Sequence, residues 1–168
     1  MIISHKYKFV YIAPPKCATS TMRSVLAPFA DINCNNFQDD IHSFYHRKWH
    51  IKPKDLKKHF DEKKWDWANY FKFTFARNPW DRLVSSFNYG RKVIHRQDKY
   101  EISHSGYERY KKRENDFGLW LSNFPNKPVL NFLSDDCGIL MVDFIGKTEN
   151  LQEDFNIICD KKFKTGLF

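Results

Sequence analysis

The sequence predicts an α/β fold, a single domain with a central parallel β-sheet flanked by helices. Three observations carry that expectation. Short apolar runs at 8–12, 70–76 and 141–145 read as buried strands, a helical pattern follows each, and 168 residues suffice for one core but not for two. Strand, helix, strand, helix, strand, helix is the order in which parallel strands are wound.

The first unit is KFVYIAPPKCATSTMRSVLAPF, residues 8–29. Lys8 to Ile12 is the expected strand and Thr19 to Phe29 the expected helix, with Met22, Val25, Leu26 and Phe29 at i, i+3, i+4 and i+7 as its core-facing stripe. The loop between them places Lys16, Cys17 and Ala18 just before Thr19, Ser20 and Thr21. A helix start has unpaired N–H groups and the positive end of the helix dipole, so this P-loop-like strand, loop and helix reads as an anion cradle. Ordinary capping explains the hydroxyls there, but not their clustering beside Lys16. A Walker loop needs glycines to wrap a nucleoside triphosphate, and the first glycine of this chain is Gly90.

Asp31 to Asp40 is polar and turn-rich, and reads as a connection. His42, His46 and His50 come next at intervals of four, but no carboxylate or cysteine at ligand spacing completes a metal set. A neutral imidazole beside Lys48 instead suits proton removal from a hydroxyl near an anion. Residues 53–69 predict a charged helix anchored by Leu56, Phe60, Trp65 and Trp67, with Lys54, Lys57, Lys58, Lys63 and Lys64 as a solvated face.

Tyr70 to Ala76 alternates and is aromatic, the second strand. Asn78 as cap, Pro79 at the first helical position and Asp81 in the first turn predict a sharp helix start. Trp80, Leu83, Val84 and Phe87 form its expected buried stripe, leaving Ser85 off that stripe and Arg77 at the strand end. An arginine fork with a hydroxyl makes a second phosphate grip. Residues 90–116 are basic and tyrosine-containing, and read as a flexible or substrate-facing insertion. Helices are expected at 117–124 and 129–133, a strand at Met141 to Ile145, a turn at Gly146, and a helix from Asn150 to Cys159 with Leu151, Phe155 and Ile158 inward.

The formal charge of +8 selects anionic partners, though no recognised nucleic-acid motif accompanies it. Cys17, Cys34, Cys137 and Cys159 are scattered and read as reduced thiols. No apolar run approaches the ~20 residues of a membrane span, and the first strand begins almost at Met1, so the expectation is a soluble, cytoplasmic protein without signal peptide. Oligomeric state has no signal in the sequence.

With both grips located, the sequence resembles the sulfotransferases that use 3′-phosphoadenosine 5′-phosphosulfate (PAPS), most closely the branch containing carbohydrate sulfotransferases. YIAPPKCATST resembles the loop for the 5′-phosphosulfate, FTFARNPWDRLVSSF the 3′-phosphate block, and DFIGKTENLQEDF a later signature of the carbohydrate branch. The resemblance implies Lys16, the backbone of Cys17 and Ala18, and Thr19, Ser20 and Thr21 at the 5′-phosphosulfate, with Arg77 and Ser85 at the 3′-phosphate. KWHIKPKDL is similar to the family segment in which a lysine stands two residues before the base, which implies His50 as base and Lys48 beside the sulfuryl group, with His46 and His42 behind it. The implied donor is PAPS, without a metal, and the implied acceptor a small molecule or glycan. Two departures stand out: no tryptophan comes after the loop, where Thr21 and Met22 stand, and the glycine-rich block that closes over the cofactor in the cytosolic branch is missing. The chain ends soon after the third block, and so reads as C-terminally short. A non-catalytic nucleotide-binding relic and a basic nucleic-acid-binding protein are the rival readings; the missing glycines count against a nucleoside kinase.

Overall fold

The computed structural model describes residues 1–33, 50–94, 111, 116–123 and 127–162. They group into two compact units, Met1–Arg77 with Pro128–Phe168, and Asn78–Lys127. Among the described residues the strands are β1 (Ile2–Ser4), β2 (Phe9–Tyr11), β3 (Ile32–Asn33), β4 (Phe71–Ala76) and β5 (Phe144–Lys147). The helices are α1 (Thr19–Leu26), α2 (Pro53–Glu62), α3 (Pro79–Ile94), α4 (Phe117–Asn123), α5 (Val129–Leu133) and α6 (Leu151–Lys162).

The first unit holds a sheet in the order β3-β1-β2-β4-β5. β2, β4 and β5 are parallel, with Tyr11 opposite Phe73 and Ala76 opposite Lys147, so the expected α/β class with a parallel core is found. The edge is antiparallel: β1 pairs with both β2 and β3, Ile3 lying opposite Val10 and Ile32. The sequence reading lacks β1 because a three-residue run gives almost no period. Only the turn His5 to Lys8 separates β1 from β2, far too little chain for a parallel crossover.

Alternation divides the strands between two cores. Phe9, Tyr11, Phe73 and Phe75 face Met22 and Leu26 of α1 and Ile158 of α6. Val10 and Ile12 face Leu56 and Phe60 of α2 and Leu133 of α5. Both sheet faces are therefore apolar, as a parallel sheet covered on each side requires. Each fully buried large side chain contributes about 1.5–3 kcal/mol to holding these layers.

Details depart from the sequence reading for identifiable reasons. Val25 is 42% exposed because the short α1 meets the core along Met22 and Leu26, before Pro28 turns the chain into a 3₁₀ turn at Ala27–Phe29. Gly146 is a strand residue rather than a turn, and a Cβ there would stand 2.5 Å from the Phe75 ring. Glycine at this position lets β4 and β5 side chains pack closely. On α2, Leu56 and Phe60 are buried as expected, with Trp65 and Trp67 edge-on to Phe60 at 5.3 and 5.0 Å.

In the second unit Asn78 Oδ1 accepts from Trp80 N at 3.0 Å, the expected cap of α3. Phe87 packs edge-on to Phe117 and Trp120 of α4, at 5.2 and 5.7 Å. The expected four-residue stripe is corrected: Trp80 is 72% exposed and Val84 47%, because α4 covers the helix further along, at Phe87. α3 continues to Ile94, while 95–110 and 112–115, most of the expected insertion, lie outside the described residues.

Candidate functional site

Parallel strands deliver the loops at their C-terminal ends to one edge of a sheet, the edge where open α/β sheets bind ligands. Ile12 N donates to Phe73 O at 2.9 Å, so the loop after β2 leaves this edge beside β4. Four successive loop carbonyls, Ile12 to Pro15, are each engaged by a different side chain. Thr74 Oγ1 donates to Ile12 O at 2.8 Å, His50 Nδ1 to Ala13 O at 2.7 Å, Thr19 Oγ1 to Pro14 O at 3.0 Å and Cys17 Sγ to Pro15 O at 3.5 Å. The groups that would repel an anion are thereby occupied.

The next residues supply the amide end. Lys16 (φ 67°) and Ala18 (φ 54°) take left-handed backbone angles with no glycine present, a strain of order 1 kcal/mol apiece. Ala18 then caps α1 without a side-chain hydrogen bond, and no acidic residue occupies the first turn. A helix start with its positive dipole end and no internal carboxylate is suited to an external anion. Ser20 and Thr21 are exposed beside it. Cys17 is buried with its thiol donating to Pro15 O, and the Thr19 proton is engaged by Pro14 O, so neither side chain offers an anion its proton.

Beneath the loop lies Tyr11, wholly buried. Burial pushes its phenol well above the ordinary tyrosine range, a rise that Thr19 opposes and Cys17 adds to. Its hydroxyl nevertheless meets no partner at hydrogen-bonding geometry among the described residues.

Arg77 is the first residue beyond β4, half-buried at the same sheet edge. Thr148 Oγ1 donates to Ala76 O at 2.9 Å, which ties the end of β4 to the end of β5, and Lys147 N donates to Asp154 Oδ2 at 2.5 Å, which ties β5 to α6. Among the described residues no carboxylate pairs with the Arg77 guanidinium.

Of the residues singled out from sequence, the fold brings the loop Lys16 to Thr21, His50 and Arg77 to one sheet edge of the first unit. Ser85 is on α3 in the second unit, half-buried. Lys48, His46 and His42 lie outside the described residues. Sequence reasoning missed Thr74, Thr148 and the Ala13 carbonyl. Thr74 carried a usable signal, a hydroxyl amid the aromatic strand FKFTFA, whereas a backbone carbonyl carries none. Among the described residues no three His, Cys, Asp or Glu side chains gather as a metal site, and no helix is long and apolar enough to cross a membrane.

The family model described as "Sulfotransferase family" matches residues 1–162. Carbohydrate sulfotransferase 14 of Mus musculus is 33% identical over 87 residues, which are 52% of this chain and 22% of that protein. The match thus spans about a fifth of the relative's length. No solved structure matches the chain.

Proposed function

The chain belongs to the sulfotransferase family, and from that premise we propose that it moves a sulfuryl group from PAPS to an acceptor hydroxyl on a carbohydrate. The observation that carries this reading is a loop with four engaged carbonyls, ending in an uncapped helix start, at the same sheet edge as an arginine without a carboxylate partner among the described residues. Two separated cationic grips suit a ligand with phosphate at both ends of a ribose, which distinguishes PAPS from a mononucleotide. The related mouse protein's name supports a sugar as acceptor.

When bound, the donor supplies an electrophilic sulfuryl group and a phosphate leaving group. The backbone N–H groups of Cys17 to Thr21 and the hydroxyls of Ser20 and Thr21 would hold the 5′ end, and Arg77 the 3′-phosphate; the role of Ser85 at that phosphate rests on the family resemblance alone. Lys16, with Lys48 as the family resemblance implies, would offer an ammonium where negative charge gathers, a role that requires it to be aimed there beforehand. His50 Nδ1 already donates to Ala13 O, so in the neutral ring Nε2 is the nitrogen able to take the acceptor's proton. General-base help of this kind contributes typically ~10²–10⁴ in rate. Arg77 supplies binding and register rather than chemistry.

The test is calorimetric binding of adenosine 3′,5′-bisphosphate against 5′-AMP, in wild type and Arg77→Ala. The bisphosphate should bind at least about tenfold tighter, and Arg77→Ala should remove that difference, as loss of a charge-assisted fork implies. Equal binding of the two nucleotides by the wild type overturns the donor assignment. Transfer of labelled sulfate to a panel of glycans then checks the acceptor.

A further inference from the structure

We infer that His50 is a working part of the anion loop, not only a base beside it: its Nδ1–H holds the Ala13 carbonyl and thereby maintains the loop form that receives the donor. This rests on the proposed donor only for the choice of probe.

The geometry separates His50 from the other three carbonyl partners. Thr19 and Cys17 act within the loop and its helix, and Thr74 acts from the neighbouring strand. His50 comes from 37 positions further along the chain and stands just ahead of α2. Its bond at 2.7 Å is therefore a polar tie between the loop and the segment entering α2. Ala13 and Ile51 are buried on either side of this tie, so its carbonyl has no ready exchange for solvent. A buried carbonyl that loses its donor seeks another partner. Here that means turning a peptide unit directly before Pro14 and Pro15, neither of which has an N–H. The carbonyl oxygen would then be released in the loop that must accept phosphate.

A carbonyl accepts and never donates, so the contact also fixes the ring: Nδ1 carries the proton in the neutral form. One bond thus orders the loop and selects the basic nitrogen. Simple removal of a base costs turnover and leaves donor affinity unchanged. A loop member costs both, and a side chain that keeps the Nδ1-like donor without a basic nitrogen separates them.

The experiment compares His50→Ala with His50→Asn, whose amide NH₂ can reach the position of Nδ1. Adenosine 3′,5′-bisphosphate affinity is measured by calorimetry, sulfate transfer by label, and folding by melting. His50→Ala should weaken bisphosphate binding about tenfold, the effect of one lost hydrogen bond and a carbonyl left unpaired. His50→Asn should recover wild-type binding to within about threefold, and neither variant should transfer sulfate. His50→Ala binding like wild type, or His50→Asn binding no better than His50→Ala, overturns the proposal. Long-range ¹H–¹⁵N spectra of the wild-type ring keep it testable if a variant fails to fold: the Nδ1–H tautomer is expected, and the Nε2–H tautomer overturns it. Failure of the wild type to bind the bisphosphate strikes the donor reading instead, and leaves the tautomer to decide the role of His50.

Discussion

The two ends of the sheet in the first unit solve the same backbone problem in opposite ways. At the β1–β2 turn, Asp31 Oδ2 accepts from His5 N at 2.7 Å, Lys6 N at 3.2 Å and Ser4 Oγ at 3.2 Å, and Lys8 supplies the left-handed residue (φ 52°). At the β2–α1 loop the left-handed residues are Lys16 and Ala18, but no acid occupies the first turn of α1. Both are turns whose amide groups suit an anion. One is filled by the chain's own carboxylate, while the other has four carbonyls engaged and no acid in the first turn of its helix. The difference teaches how to tell structure from candidate site: a nest filled by the chain's own carboxylate stabilises the fold, and a helix start with no acid of its own suits an external anion.

The comparison breaks most directly by giving the open edge its own carboxylate. Ser20→Asp places an acid in the first turn of α1, as Asp31 does for the other edge. It should leave the melting temperature unchanged or slightly raised, since acids suit helix starts. It should weaken bisphosphate binding by about a hundredfold, because like charges opposed at a binding site cost several kcal/mol. Calorimetry with a parallel melt checks both, and unchanged affinity would mean that the helix start does not meet the ligand. A smaller effect is expected from Thr74→Val, which preserves volume but leaves Ile12 O buried without its donor. Destabilisation of about 1–3 kcal/mol by denaturant titration is expected, together with weaker bisphosphate binding. Stability loss with unaltered affinity would show that the engaged carbonyls serve the fold alone.

The closed edge sharpens the contrast through pH. Asp31 suffers some desolvation, but the N–H groups of Lys6 and His5 and the Ser4 hydroxyl outweigh it and hold its carboxyl below the usual range. Burial chiefly lowers the pKa of His5, with Lys8 adding to the fall and Asp31 opposing it. Both folded-state values lie under their unfolded ones, so the unfolded chain binds more protons and stability rises with pH. The stabilisation is complete above the reference 6.5 of histidine and is lost in two stages, through the lowered His5 value and then, below 3.8, through that of Asp31. Melting between pH 7 and 3 should show both stages. Asp31→Ala should remove the lower one and cost only about 1 kcal/mol at pH 7, because the site is largely exposed. Bisphosphate affinity at pH 7 should not change, and a large fall would mean that the two edges are coupled.

Much of this was legible in the sequence, for reasons that particular residues make plain. Apolar runs such as FVYI and FKFTFA specify buried strands because burial on both faces needs apolar side chains at consecutive positions. Pro79 after Asn78, and Lys16 before Thr19, Ser20 and Thr21, mark helix starts because those residues act on the few backbone groups nearest them. Such short-range physics determined the class of fold and its parallel core, and marked the loop at Lys16 and Arg77 as candidates. Tertiary structure alone decided the rest. β1 is fixed by pairing with β2 across a short turn and with the distant β3, Val25, Trp80 and Val84 are exposed because their neighbours cover other faces, and Gly146 is a strand residue because Phe75 lies against it. The engagement of Ile12 O and Ala13 O belongs to the same category. Thr74 and His50 reach those oxygens across 62 and 37 positions, and a backbone carbonyl has the same chemistry in every sequence, so only the folded chain can say which side chain meets it.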